Sequence, residues 1–144
     1  MTKQLPSTDR SLPIALLRAR ERVMGPIRAL LSDADLTEQQ WRVLRVVQES
    51  GDIDPTQISE QACLLLPSLT RILQKLEDKG LIQREKDQMD RRRQIVRITP
   101  AGEQIIDDNL EASLAVIENT RTKMGAERYE ALLDLLNELN RKGD

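Results

Sequence analysis

Backbone punctuation in the middle of the chain leaves little freedom in how it folds. Thr37-Glu38-Gln39-Gln40 has the form of a capping box, with threonine at the cap and glutamine three residues later. The helix it opens carries Val43, Leu44 and Val47 on one side and ends at Gly51. Asp54-Pro55-Thr56 reads as a cap and first turn, predicting a short helix from Gln57 to about Ala62. After the brief Leu64-Leu65-Leu66 connection, Pro67 opens another helix that runs to Lys79, and Gly80 stops it. A short helix, a tight connection and an amphipathic helix are the spacing of a helix-turn-helix.

The second of these helices has two chemically distinct faces. Leu69, Ile72, Leu73 and Leu76 form an apolar one, while Pro67, Arg71, Gln74, Lys75 and Asp78 share the opposite side, with Ser68 and Thr70 at its flank. Two short, partly alternating runs follow, Leu81 to Glu85 and Gln94 to Ile98, and predict a β-hairpin. Its tip, KDQMDRRRQ, holds Arg91, Arg92 and Arg93 behind Asp90.

Helices also flank this centre at both ends. Ser11 can cap a first helix with Leu16, Leu17, Arg20, Val23, Met24, Ile27 and Leu31 at helical spacing, and Gly25-Pro26 is expected to interrupt it and to kink or shift it there. Arg20 is the odd member of that apolar stripe. Thr99-Pro100 is expected to cap one long helix with Ile106, Leu110, Leu114 and Ile117 in register, and a final helix carries Tyr129, Leu132, Leu133, Leu136 and Leu139. These terminal stripes either fold back into one bundle or pair with a second copy, and two-fold pairing would match a palindromic DNA site. The expected fold class is mainly α with a small β-hairpin wing. Residues 36–100 would form a winged helix-turn-helix DNA-binding domain, and residues 1–35 with 101–144 a helical dimerisation domain.

Charge sharpens the functional reading. The 144 residues carry a net charge of −2, which alone argues against nucleic acid. Yet Leu64 to Thr99 holds nine basic and five acidic residues, a net of +4, leaving −6 for the remainder. A basic segment in an acidic body grips phosphate without binding every anion it meets. Histidine is absent, which excludes a Ser-His-Asp triad, a Cys-His pair and His-ligated zinc; no catalytic constellation and no cofactor is implied. The single cysteine, Cys63, fits a reducing compartment, and the N-terminus MTKQLPSTDRS lacks the apolar run of a signal peptide, so the cytoplasm is expected. No apolar run is long enough to cross a membrane.

These features resemble the multiple-antibiotic-resistance regulator (MarR) family of winged helix-turn-helix proteins. Asp90-Arg91-Arg92 and Ile98-Thr99-Pro100-Ala101-Gly102 match that family's D-x-R…L-T-x-x-G wing pattern. LPIALLRARERVM, LTEQQWRVLRVV and ACLLLPSLTRIL are similar to the family's repressors of homoprotocatechuate degradation operons. The resemblance implies a homodimer interlocked through its terminal helices, a recognition helix from Pro67 to Lys79, and a minor-groove arginine at Arg92 held by Asp90. The residue chemistry agrees. Arg71, Gln74 and Lys75, flanked by Pro67, Ser68 and Thr70, offer groups that pair with base edges or phosphate in double-stranded DNA. A guanidinium suits a narrow minor groove, leaving Arg91 and Arg93 for phosphates.

The resemblance further implies release from DNA by a small aromatic acid, with 4-hydroxyphenylacetate or homoprotocatechuate as effector. Arg20 would pair with its carboxylate, Trp41 and Arg45 would stack on the ring and bind a second polar group, and Met24 and Leu66 would form apolar walls. Other readings stand beside these: Arg20 pairing with a glutamate across the dimer, and Trp41 with Arg45 as a cation–π contact. Cys63, in an apolar context, reads as a buried structural cysteine. A redox-responsive regulator of the same fold and a helical interaction module that never touches DNA are the alternative functions.

Overall fold

The computed structural model describes residues 3–141. After a 3-10 turn at Thr8–Arg10, the elements run α1 (Leu12–Asp33), α2 (Glu38–Ser50), α3 (Pro55–Ala62), α4 (Leu66–Asp78), β1 (Ile82–Lys86), β2 (Gln94–Ile98), α5 (Pro100–Asp108), α6 (Leu110–Met124) and α7 (Ala126–Leu139). The chain divides into two compact units. One spans Arg28–Leu110, and the other joins the chain up to Ile27 with the chain from Glu111.

The predicted caps form as hydrogen bonds. Thr37 Oγ1 accepts from the Gln40 N–H at 3.1 Å, while Gln40 Oε1 accepts from the Thr37 N–H at 3.1 Å. Asp54 and Gln57 repeat the arrangement at α3, at 2.8 and 3.3 Å. Each box satisfies two of the amides that a helix start leaves without partners. Gly51 and Gly80 end their helices with φ of 74° and 76°, a region open to glycine at no steric cost.

The winged unit closes over a continuous core. Val43, Leu44 and Val47 of α2 meet Ile58 and Ala62 of α3, Leu69, Leu73 and Leu76 of α4, and Ile82 and Val96 of the hairpin. Burying each leucine or isoleucine stabilises by roughly 1.5–3 kcal/mol. β1 and β2 pair antiparallel with Ile82 opposite Ile98 and Lys86 opposite Gln94. A bridge from Ile53 to Val96, with N–H···O distances of 3.2 and 2.8 Å, adds a third backbone segment to the hairpin.

The Thr-Pro-Ala-Gly motif is explained by close packing. Thr99 Oγ1 donates to the Gly80 carbonyl at 2.6 Å and accepts from the Gly102 N–H at 3.1 Å, so one hydroxyl ties the end of α4 to the start of α5. A Cβ at Gly102 would lie 2.3 Å from the Leu81 carbonyl oxygen, and only glycine fits there.

Three expectations are corrected. The long helix after Thr99 is two, because Asn109 ends α5 and its Nδ2 donates back to the Ile105 carbonyl at 2.8 Å. Such local side-chain bonds compete with the helix ladder. Gly25-Pro26 does not interrupt α1, which runs through both residues. Proline forfeits its own N–H and crowds the carbonyl four residues back, yet the helix continues and the apolar stripe resumes at Ile27 and Leu31. Cys63 is exposed, not buried. It ends α3 in a left-handed conformation, φ 54°, which turns the chain away from the core that Ala62 enters.

The terminal-helix unit contrasts with the winged one. Among its described residues none is buried, and α6 and α7 have no buried residue anywhere along their length. Leu12, Leu17, Leu114, Ile117, Leu132 and Leu136 all remain exposed. Among the described residues no helix is long and apolar enough to cross a membrane, and no group of His, Cys, Asp and Glu side chains could hold a metal ion.

Candidate nucleic-acid interface

α4 separates its two faces as its sequence dictates. Leu69, Leu73 and Leu76 are at most 2% exposed, whereas Pro67, Ser68, Arg71, Gln74 and Lys75 all face solvent. Thr70 is exposed too, but its hydroxyl donates to the Leu66 carbonyl at 2.9 Å, turning it back onto its own helix. The Leu65 cap offers no side-chain acceptor, so it leaves the first amides of α4 unsatisfied by a cap.

The wing tip is shaped by two aspartates. Asp87 Oδ1 accepts from the Met89 N–H at 2.9 Å, and Asp90 Oδ1 accepts from the Arg92 N–H at 3.1 Å. Both are local side-chain turns of the kind aspartate favours. The same Asp90 oxygen accepts from Arg92 Nε at 3.2 Å, so backbone and guanidinium of Arg92 hang from one atom. The Arg92 side chain is otherwise 93% exposed at the end of the hairpin. Arg91 is exposed beside it.

Arg93, expected to contact phosphate, is also tied into the fold while its side chain stays 44% exposed. Its Nε donates to Asp54 Oδ2 at 3.0 Å, and its Nη1 lies 3.9 Å from Asp87. Asp54 therefore caps α3 with one oxygen and anchors the wing with the other. Further down the hairpin, Arg97 makes a two-pronged bond to Asp52, both contacts at 2.9 Å. That bond holds the Asp52 carboxyl below its ordinary pKa. On the other strand, Arg84 Nη2 donates to Gln74 and to Glu77 of α4, each at 2.8 Å. This bond likewise lowers the Glu77 pKa, against a smaller opposing effect of burial.

Sequence reasoning missed these three anchors, Asp54–Arg93, Asp52–Arg97 and Arg84–Glu77. The first two join residues 39 and 45 positions apart, a distance no local pattern reports.

The candidate effector residues fall in different units. Arg20 and Met24 belong to the terminal-helix unit, where Arg20 Nη1 lies 3.9 Å from Glu21 and Met24 is half-buried. Trp41, Arg45 and Leu66 belong to the winged unit. Trp41 packs half-buried against its core, Arg45 donates to the Gln48 side chain, and Leu66 is 47% exposed at the start of α4.

Known proteins share this organisation. The family model described as "MarR family" matches residues 36–93. The chain is 38% identical to the HTH-type transcriptional regulator FarR of Neisseria gonorrhoeae, over 92% of its own length and 91% of that protein. It is 36% identical to the homoprotocatechuate degradative operon repressor of Escherichia coli, over 89% of its length and 86% of the relative. Among solved structures, NadR in complex with 4-hydroxyphenylacetate superposes with a TM-score of 0.87 at 36% identity, covering 99% of this chain and all of that one. With relatives this similar over nearly their whole length, and a winged helix-turn-helix where the family model matches, the chain belongs to the MarR family.

Proposed function

We propose that this protein is a dimeric transcriptional repressor that binds a palindromic operator and lets go when a phenolic acid binds. The observation that carries the DNA half is the pairing of Arg92 with Asp90 at the exposed wing tip, within the unit that also exposes Arg71, Gln74 and Lys75 on α4. A helix fits the major groove, and an arginine pre-oriented by a carboxylate loses less freedom on entering a minor groove. Arg91, Ser68 and the uncapped amides at the start of α4 would take phosphates. Arg93, anchored to Asp54, would contact phosphate with what remains exposed of its guanidinium.

Dimerisation is supported by the leucines that α1, α6 and α7 leave uncovered, since their exposure in one chain is favourable only if something else buries them. A second copy brings two winged units to successive major grooves.

The effector reading rests on the relatives. One represses homoprotocatechuate degradation, and the similar NadR structure contains 4-hydroxyphenylacetate. In this chain Arg20 would take the carboxylate, Trp41 and Arg45 the ring and its hydroxyl, and Met24 and Leu66 the walls. The ligand would act by binding better to the dimer whose recognition helices are wrongly spaced, and would weaken DNA binding by that difference in affinity and no more.

Fluorescence anisotropy on the protein's own upstream promoter tests both halves. Binding is expected to be tight, to fall steeply with salt, and to be released by 4-hydroxyphenylacetate or homoprotocatechuate but not by benzoate. Arg20→Ala should abolish release while leaving DNA affinity intact. Indifference to all three acids would remove the proposed effector. Absence of salt-sensitive specific binding would remove the repressor. The exposure of Cys63 supports a redox-responsive second reading; release by peroxide that disappears in Cys63→Ser would favour it.

A further inference from the structure

We propose that Arg84 fixes the carboxamide of Gln74 in one orientation, so that Gln74 presents its NH2 and not its carbonyl to a base. Arg84 is thereby a positioning residue for sequence readout, an inference that rests on reading α4 as the major-groove helix.

Arg84 Nη2 donates to Gln74 Oε1 at 2.8 Å and to Glu77 Oε1 at 2.8 Å. On the other side of the same carboxamide, Gln74 Nε2 donates to Asp78 Oδ1 at 2.9 Å. A guanidinium only donates and a carboxylate only accepts. The Gln74 atom facing Arg84 is therefore its oxygen, and the atom facing Asp78 its nitrogen. Reversing them would set donor against donor and acceptor against acceptor.

The two tethers are not equally firm. The Arg84 side chain is only 16% exposed and is held by Glu77 as well as Gln74. Asp78 is exposed, one turn along the same helix, in an i,i+4 pair of a kind that contributes little. DNA arriving against α4 exchanges the Asp78 bond for one to a base and leaves the Arg84 bond in place.

This changes what Gln74 can read. A carboxamide with both groups available engages adenine through N6 and N7 together. One whose oxygen is held on a guanidinium keeps a second lone pair but cannot swing that oxygen onto a base edge, so its NH2 makes the contact, and donors meet acceptors: N7 of either purine, O6 of guanine or O4 of thymine. Gln74 then selects for an acceptor and gains nothing from the amino group of adenine. The expectation of a two-pronged contact to adenine, which glutamine alone would justify, gives way to a one-sided one.

The test is anisotropy on the operator with adenine placed at the position where Gln74→Ala changes base preference. That adenine is replaced by 7-deazaadenine, which lacks the N7 acceptor, or by purine, which lacks the N6 amino group. The wild-type protein should lose about tenfold in affinity with the first and less than about twofold with the second. In Arg84→Met the oxygen is freed, and loss of the amino group should then cost several-fold. Equal sensitivity of the wild type to both analogues would overturn the proposal, as would identical profiles for wild type and Arg84→Met. If Arg84→Met does not fold, the wild-type analogue pair decides alone. A wild type that binds no duplex specifically would instead remove the DNA reading, and this proposal with it.

Discussion

In the winged unit fourteen apolar side chains close over one another, from Leu36 to Ile106, and ten of the chain's largest fully buried residues lie in it. In the unit built from the chain's two ends no described residue is buried, although its helices are at least as rich in leucine. The two differ in where the apolar partner comes from. Helices packed around a hairpin bury their faces within one chain. Helices of similar length with a single stripe each and no hairpin to cover them leave those stripes open unless another set of stripes covers them. The same distinction divides the proposed tasks, with the first unit reading DNA as a preformed surface and the second existing to be covered.

The sharpest way to break this comparison is to open a cavity on each side. Leu44→Ala, at a fully buried site, should cost about 3–4 kcal/mol in urea denaturation at any protein concentration. Leu133→Ala should do little in dilute protein and should act through the concentration dependence of the melting temperature. Equal, concentration-independent losses at both sites would erase the distinction.

A charge placed in the uncovered stripe comes next. Leu132→Asp with Leu136→Asp should convert a dimer to monomers by sedimentation velocity, weaken operator binding by at least roughly a hundredfold, and leave the winged unit folded by circular dichroism. An unchanged sedimentation coefficient would show that this face is not the one a second copy covers.

Arg92→Ala separates binding from stability within the winged unit. Operator affinity should fall about tenfold and the salt slope should shrink by about one counterion, with no change in melting temperature, because the side chain packs against nothing but Asp90 in the described contacts. A variant that melts earlier and binds normally would make Arg92 structural.

Acid has the smallest expected effect. Asp52 and Glu77 have pKa values lowered from the ordinary 3.8 and 4.5 by their bonds to Arg97 and Arg84. The unfolded chain then binds more protons than the folded one in this range, so stability rises with pH there. The contribution is complete above those ordinary values and is lost as pH falls through the lowered ones. Melts of wild type and Asp52→Asn between about pH 6 and pH 3 should converge toward the acid end. The Asp52–Arg97 pair is solvent-exposed, which keeps its effect modest.

How much of this was legible in the sequence follows from the reach of each signal. Capping boxes, Pro67, Gly51 and Gly80 act within three or four residues, and the helix-turn-helix could be read from them. The hairpin and its arginine tip were legible for the same reason. Asn109 was not, since an asparagine in an apolar-periodic run looks like any tolerated helix residue until its amide turns back to Ile105. Cys63 misled because an alanine precedes it and three leucines follow it in sequence, while its own left-handed backbone leaves it exposed at the end of α3. At the candidate interface, the exposed face of α4 came from spacing and the Asp90–Arg92 pair from the family resemblance, whereas the pairing of Arg93 with Asp54 and of Gln74 with Arg84 depended on tertiary packing.

The most direct test of the account is sedimentation velocity with a fluorescently labelled palindromic promoter duplex, followed at both the protein and the dye wavelength. The account predicts a dimer in the absence of DNA and two chains per duplex in its presence, with the complex dissolving when 4-hydroxyphenylacetate is added. A monomer that never co-sediments with the duplex would contradict it.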